Sequence, residues 1–229
     1  MKKTLLTIAS AALLSTSVQA EQYWADNSVS VLYGSSYEPD NSEFSTVTLE
    51  HVSGHSWGGL FYFMDHNSGT DNNSTYFEFS PKFTLAKMDG PVSAVNLAYT
   101  MESGGSTTNH LFGLGADLNI PGMDFASATF FIAKNENGAF PSDDDNQITL
   151  TYGAHFGDVI LDGFIDYSFG SDTDEDNIHI NPQLTYDLAP TLGLKNKFKV
   201  GIEYSNWTNQ YGIDGRDQSA ISLLLKAHL

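Results

Sequence analysis

The chain contains no cysteine. That excludes a disulfide framework, thiolate zinc sites and thiol catalysis. Positive charge is scarce as well: ten Lys and Arg stand against 28 Asp and Glu, for a formal net charge of −18. A nucleic-acid partner is excluded on that balance, because phosphate recognition depends on a surplus of Lys and Arg. After the N-terminus no run of about 18 apolar residues occurs, so no transmembrane helix is expected. What is present is apolar and aromatic. With 41% hydrophobic and 13% aromatic residues, the chain is too apolar for a disordered acidic polymer. Its 229 residues allow one large domain or two small ones.

The N-terminus reads as an export signal. Met1, Lys2 and Lys3 form a positive start, Leu5 to Leu14 a short apolar stretch, and Val18-Gln19-Ala20 a small-residue cleavage site. The apolar stretch is too short to span a bilayer. The expected division is therefore 1–20 signal peptide and 21–229 mature domain. Removing Lys2 and Lys3 leaves the mature chain more acidic still.

From there to the end the chain alternates with a period of two, the signature of strands. Phe198, Val200, Ile202 and Tyr204 alternate with Lys197, Lys199, Gly201, Glu203 and Ser205. Ile221, Leu223, Leu225, Ala227 and Leu229 alternate with Ser222, Lys226 and His228, with Leu224 the exception. Phe77, Phe79, Phe83 and Leu85 alternate with Glu78, Ser80, Lys82 and Thr84. A soluble β-sandwich would alternate too. Here the polar face carries many full charges and the strands approach the length that a tilted membrane strand needs.

The expected strands are 28–35, 44–53, 56–65, 75–85, 93–102, 109–120, 124–134, 146–155, 159–169, 177–187, 196–207 and 218–229. Long polar connections are expected at Ser35 to Glu43, His66 to Ser74, Glu102 to Asn109, Asn135 to Asn146, Gly170 to Asn177 and Asn209 to Asp217. Short turns lie between them. The fold class is thus all-β: a transmembrane antiparallel β-barrel of about twelve strands in the outer membrane of a Gram-negative cell, with both termini on one side. Such a barrel satisfies every backbone group in lipid and leaves no sheet edge. Pro182 falls mid-strand, where a bulge or break is expected.

With apolar residues turned to lipid, the lumen receives Thr46, Thr48, Glu50, Phe61, Phe63, Asp65, Glu78, Lys82, Asp117, Asp162, Asp166, His179, Asp187, Lys197, Lys199, Glu203, Lys226 and His228. Both signs of charge are present, so a simple ion sieve is not expected. Charge mixed with aromatic rings suits a small polar solute that has a flat ring. The strand holding Phe61 and Phe63 is apolar on both faces, so its register rests on Asp65. Glu50 and Lys82, both toward the terminus end, are candidates either for solute binding or for pairing with each other. No cofactor or metal is expected.

Several stretches resemble the Tsx/OmpK nucleoside-channel family. Phe77-Glu78-Phe79-Ser80-Pro81-Lys82-Phe83-Thr84-Leu85 is similar to its segment of Glu, Pro and Arg followed by Phe and Ser, and Gly90-Pro91-Val92 follows at the family's spacing. Leu111-Phe112-Gly113-Leu114-Gly115-Ala116-Asp117 resembles its Gly-Leu-Gly-x-Asp strand. Asp65 closes a stretch resembling Tyr-Gly-Tyr-x-Asp, and Asp166-Tyr167-Ser168-Phe169-Gly170 resembles its Asp-Tyr-x-Phe-Gly ending. The resemblance implies a monomeric twelve-strand barrel with a narrow channel for nucleosides, seated in outer-membrane lipid and lipopolysaccharide, and serving phage or colicin as a receptor in some members. The solute-binding candidates are then Glu50, Phe61, Phe63, Asp65, Glu78, Lys82 and Asp117. The alternative is a non-conducting structural or receptor barrel.

Two motifs stand outside that reading. His51 and Ser53, two residues apart, share one strand face. Outer-membrane lipid hydrolases use a His and Ser so placed, but catalysis needs a third group to orient the His, and the sequence identifies none. The expectation is interfacial polar residues at a strand end, and no enzyme. Asp172, Asp174 and Asp176 alternate like calcium ligands without the Gly and Glu of an EF-hand, and Asp143-Asp144-Asp145 forms a second acidic cluster. Solvation is expected for both, with divalent-cation bridging to lipopolysaccharide as the alternative. The Asn-x-Ser/Thr triplets at Asn72, Asn73 and Asn206 are read as loop chemistry.

Overall fold

A computed structural model describes residues 20–37, 42–69, 73–105, 107–137 and 143–229. Twelve strands close on themselves as an antiparallel barrel, each paired with its sequence neighbour and β1 with β12. They are β1 Gln22–Tyr37, β2 Ser42–His55, β3 Gly58–Gly69, β4 Asn73–Lys87, β5 Val92–Gly104, β6 Thr107–Leu118, β7 Phe125–Asn137, β8 Asp145–Phe156, β9 Val159–Phe169, β10 Asn177–Asp187, β11 Phe198–Thr208 and β12 Gln218–His228. Most expected strands appear with shifted ends. The main differences are at β1, which starts at Gln22 instead of 28, and in β3 and β7, which run on to Gly69 and Asn137 and shorten the expected loops. The expected signal segment lies outside the described residues except for Ala20.

Alternation decides which side chain faces which medium. On β12, Gln218, Ala220, Ser222, Leu224 and Lys226 are buried while the residues between them are exposed, Leu223 to 66%. Val31, Tyr33, Val47, Leu49, Phe83, Leu97, Phe112, Leu114, Phe130, Ile132 and Leu150 are exposed in the same register around the barrel. An exterior of large apolar side chains around a polar interior inverts a soluble protein and is the architecture of a multi-pass membrane barrel. The strands, 11 to 16 residues long, meet or exceed what a tilted crossing requires.

The two ends differ. Both termini and the turns at 56–57, 88–91, 119–124, 157–158 and 188–197 lie at one end. The last of these carries a one-turn helix not anticipated from the sequence, α1 Ala189–Leu192, ended by Gly193 in the left-handed region. The opposite end carries the remaining connections, including 170–176 and 209–217. Pro182 breaks the ladder to β11: Ile180 pairs Asn206 and Gln183 pairs Glu203, with nothing paired between them. The register is the same on both sides, so the disturbance is a break and no bulge.

Two glycines on the lumen face of β6 make room for their neighbours. A Cβ on Gly113 would lie 2.6 Å from the Phe131 ring, and one on Gly115 would lie 2.5 Å from the Thr129 hydroxyl. Phe131 consequently lies flat to the wall, buried with Ala98, Leu111 and Ala133. The lumen therefore holds a small apolar patch on β5–β7 beside its polar lining.

Candidate functional site

The register places the seven solute-binding candidates on the lumen face. It does not bring them to one point. At the terminus end, Lys226 Nζ on β12 donates to Glu50 Oε1 on β2 at 2.8 Å, reaching across β1, and Ser28 Oγ adds a bond at 3.3 Å. Lys82 Nζ on β4 donates to Asp117 Oδ1 on β6 at 2.7 Å, reaching across β5. Lys199 lies 3.9 Å from Asp162, and His228 Nδ1 lies 2.8 Å from Asp26. Glu50 and Lys82 are thus not each other's partners, which removes the pairing alternative left open by the sequence; each is claimed by a nearer opposite charge. Lys197 is corrected as well: it is exposed in the turn before β11 and does not line the lumen.

Beneath the Lys82–Asp117 bridge sits Asn96, fully buried on β5 between Thr84 and Gly115. Among the described residues neither of its amide atoms has a hydrogen-bond partner. A bare buried amide costs free energy, so this position favours any solute or water that reaches it.

Toward the other end the lumen lining changes. Glu78 on β4 and Glu102 on β5 are directly opposed cross-strand partners. Asp65 and Asp166 lie in the same half, with Glu203 near mid-height. Each carboxylate is held by a neutral donor: Asp65 by Thr48 at 2.5 Å, Glu78 by Ser80 at 2.7 Å, Glu102 by Asn109 at 3.2 Å, Asp166 by Thr149 at 2.6 Å and Glu203 by Gln183 at 2.8 Å. Among the described residues none of the five has a Lys, Arg or His ion-pair partner. Like charges opposed across a ladder repel, and a cation between them relieves the repulsion.

Aromatic rings stand beside these acids. Phe61 and Phe63 are 5.7 Å apart between ring centres, and Phe63 and Tyr76 are 5.6 Å apart. Phe63 is the cross-strand partner of both Glu50 and Glu78, and Tyr76 of Asp65. The sequence expectation had the two phenylalanines but missed Tyr76, which becomes visible only once β3 and β4 are in register. A second stack, His179 on Trp207 at 4.3 Å and 7°, was also missed.

Outside the lumen, His51 and Ser53 share the outward parity of Val47 and Leu49. Ser53 Oγ lies 2.9 Å from His51 Nε2 and 2.9 Å from His55 Nε2. His51 Nδ1 lies 2.8 Å from Asn27 Oδ1 on the adjacent strand. Several acidic loop residues have local partners: Asp176 accepts from Tyr167 at 2.8 Å, Asp174 from Ser171 at 3.3 Å, and Asp144 pairs with Lys134. Among the described residues no group of three or more His, Asp or Glu is placed to hold a metal ion.

Among solved structures the chain is similar to a KdgM porin in complex with disordered oligogalacturonate, at 15% identity and TM-score 0.56, covering 87% of this chain and 98% of that one. It is similar to the NanC porin at 12% identity and TM-score 0.59, covering 89% and 100%. It is also similar to the outer membrane phospholipase A of Escherichia coli at 10% identity and TM-score 0.52, covering 93% of each chain. No family model matches the chain, and no curated protein matches it. At these identities the likeness is one of fold: a closed twelve-strand barrel of the outer-membrane porin type.

Proposed function

We propose that the protein is an outer-membrane channel for passive uptake of nucleosides and similar small, polar, ring-containing solutes, exported by a signal peptide at 1–20. One observation carries the reading: the Phe61–Phe63–Tyr76 row lies on the lumen wall beside Asp65 and Glu78, which among the described residues have no Lys, Arg or His ion-pair partner. Rings offer a stacking surface to a flat base, and carboxylates accept hydrogen bonds from its amino groups and from ribose hydroxyls. The resemblance to the Tsx/OmpK family and the porin-type fold support the same class.

The electrostatics narrow that class to neutral or cationic solutes. A lumen in which, among the described residues, Lys82, Lys199 and Lys226 are spent in pairs and the excess acids have no ion-pair partner repels a polyanion such as the oligogalacturonate found with one structural neighbour. Planar-bilayer conductance of the purified protein tests the proposal. Cation-selective current that nucleosides block, and that oligogalacturonate does not, is the expected result. Absence of any conductance from correctly folded protein would favour the non-conducting receptor barrel instead.

A further inference from the structure

The channel does not use the outward cluster at the terminus end, where hydrogen bonds join Asn27, His51, Ser53 and His55. We propose that Ser53, His51 and Asn27 form a serine-hydrolase site that cleaves acyl esters of glycerophospholipids in the leaflet nearest the termini.

The hydrogen bonds set the roles. Asn27 Oδ1 can only accept, so at 2.8 Å it fixes the proton of His51 on Nδ1. His51 Nε2 is then the basic nitrogen, and it faces Ser53 Oγ at 2.9 Å. That is the chain of nucleophile, base and orienting group which activates a serine. Rings clamp both imidazoles: His51 stacks on Tyr62 at 4.7 Å and 15°, and His55 stacks on Trp57 at 4.9 Å and 11°. His55 covers the far side of Ser53 at 2.9 Å and leaves the residue 2% exposed. An ester reaches the hydroxyl by taking the place of His55, the imidazole not tied to Asn27.

The setting selects the substrate. Asn27 and His51 are register partners on the outward face, close to Tyr62, Trp57 and the exposed Phe83 at the barrel rim. Aromatic girdles mark the depth of the membrane interface, the level at which the ester carbonyls of lipids lie. A water-soluble ester would have no reason to visit this face.

The reaction balances with water as co-substrate. Ser53 Oγ bonds to the ester carbonyl carbon while its proton passes to His51 Nε2. The bond from that carbon to the glycerol oxygen breaks, and the oxygen takes the proton. Water then gives a proton to His51, adds to the acyl carbon and releases Ser53 Oγ, which recovers the proton. One ester and one water yield one fatty acid and one lysophospholipid.

The test uses the full mature chain, with folding checked by heat-modifiable gel mobility, in mixed micelles of dioleoyl phosphatidylethanolamine and non-ionic detergent. Expected are oleate release and labelling of Ser53 by an alkyl fluorophosphonate, mapped by mass spectrometry. Ser53→Ala abolishes both, and His51→Ala slows release by about 10²–10⁴-fold. Asn27→Ala slows it, and Asn27→Asp, which keeps an acceptor for His51 Nδ1, restores it; a purely structural Asn27 would not discriminate so. Folded wild-type protein that takes no label and frees no oleate overturns the proposal, as does release undiminished in folded Ser53→Ala. Neither result touches the channel, which is read by conductance.

Discussion

The two halves of the lumen are built from the same strands and obey opposite electrostatic rules. Near the termini every lumen-facing lysine has a carboxylate partner: Lys82 with Asp117, Lys199 with Asp162, Lys226 with Glu50. Toward the loops the carboxylates of Asp65, Glu78, Glu102 and Asp166 have, among the described residues, neutral donors alone. Paired charges bridging over an intervening strand tie the wall together and leave little net field. Unpaired charges contribute nothing of that kind and leave a field that a passing solute can feel. The terminus half therefore reads as brace and the loop half as filter.

The sharpest way to break the distinction is to remove one member of a brace. Lys226 is 6% exposed, so Lys226→Met strands Glu50 in a poorly solvated wall. A loss of about 3 kcal/mol is expected, toward the low end for a broken buried pair because the Glu50 side chain is a quarter exposed. Urea unfolding followed by gel mobility measures it, and a Lys226→Glu, Glu50→Lys double exchange should recover most of the loss. Lys82→Met should cost at most about 1 kcal/mol, since both members of that pair are about one-third exposed. Equal losses at the two sites would mean that burial does not grade the braces.

In the filter half the outcome should move selectivity and leave stability intact. Glu78→Gln removes one of two directly opposed acids. Relief of like-charge repulsion offsets the altered bond from Ser80, so stability should change by less than about 1 kcal/mol. The reversal potential in a potassium chloride gradient should fall toward zero, and further in a Glu78→Gln, Glu102→Gln double variant. A reversal potential that moves with Glu50→Gln but not with Glu78→Gln would reverse the assignment of brace and filter.

Much of the barrel was readable because alternation is a local property. Strand count, outward band and most of the lumen set follow from a period of two, and β9 and β10 match the expected strands end to end. The N-terminal extension of β1 was not readable: Tyr23-Trp24-Ala25-Asp26-Asn27 mixes aromatic and polar residues without alternation, and a register shift falls between Gln22 and Trp24. The charge pairs were not readable for a different reason. Lys226–Glu50 and Lys82–Asp117 each skip a strand, so they depend on the registers of two ladders at once. Asn27 was missed for a simpler reason: it meets His51 only through the register of one ladder, β1 with β2, 24 residues apart along the chain. Sequence thus reports which face a residue takes and leaves open whom it meets there.

The smallest expected effect tests whether the aromatic row belongs to the filter. Phe61→Ala and Phe63→Ala each remove a ring from the Phe61–Phe63–Tyr76 row. Loss of one stacking surface is worth about 1 kcal/mol, so half-blocking nucleoside concentrations should rise about fivefold in each variant. Tyr76→Phe keeps the ring and removes the hydroxyl, and block should change by less than about twofold if stacking is what counts. The apolar patch on β5–β7 gives the control. Phe131 is a lumen ring too, but it lies flat over Gly113 in the apolar patch and is almost wholly buried. Phe131→Leu should leave nucleoside block unchanged. Block that weakens equally in Phe131→Leu and Phe63→Ala would show that rings act there as packing and not as a surface that the solute touches.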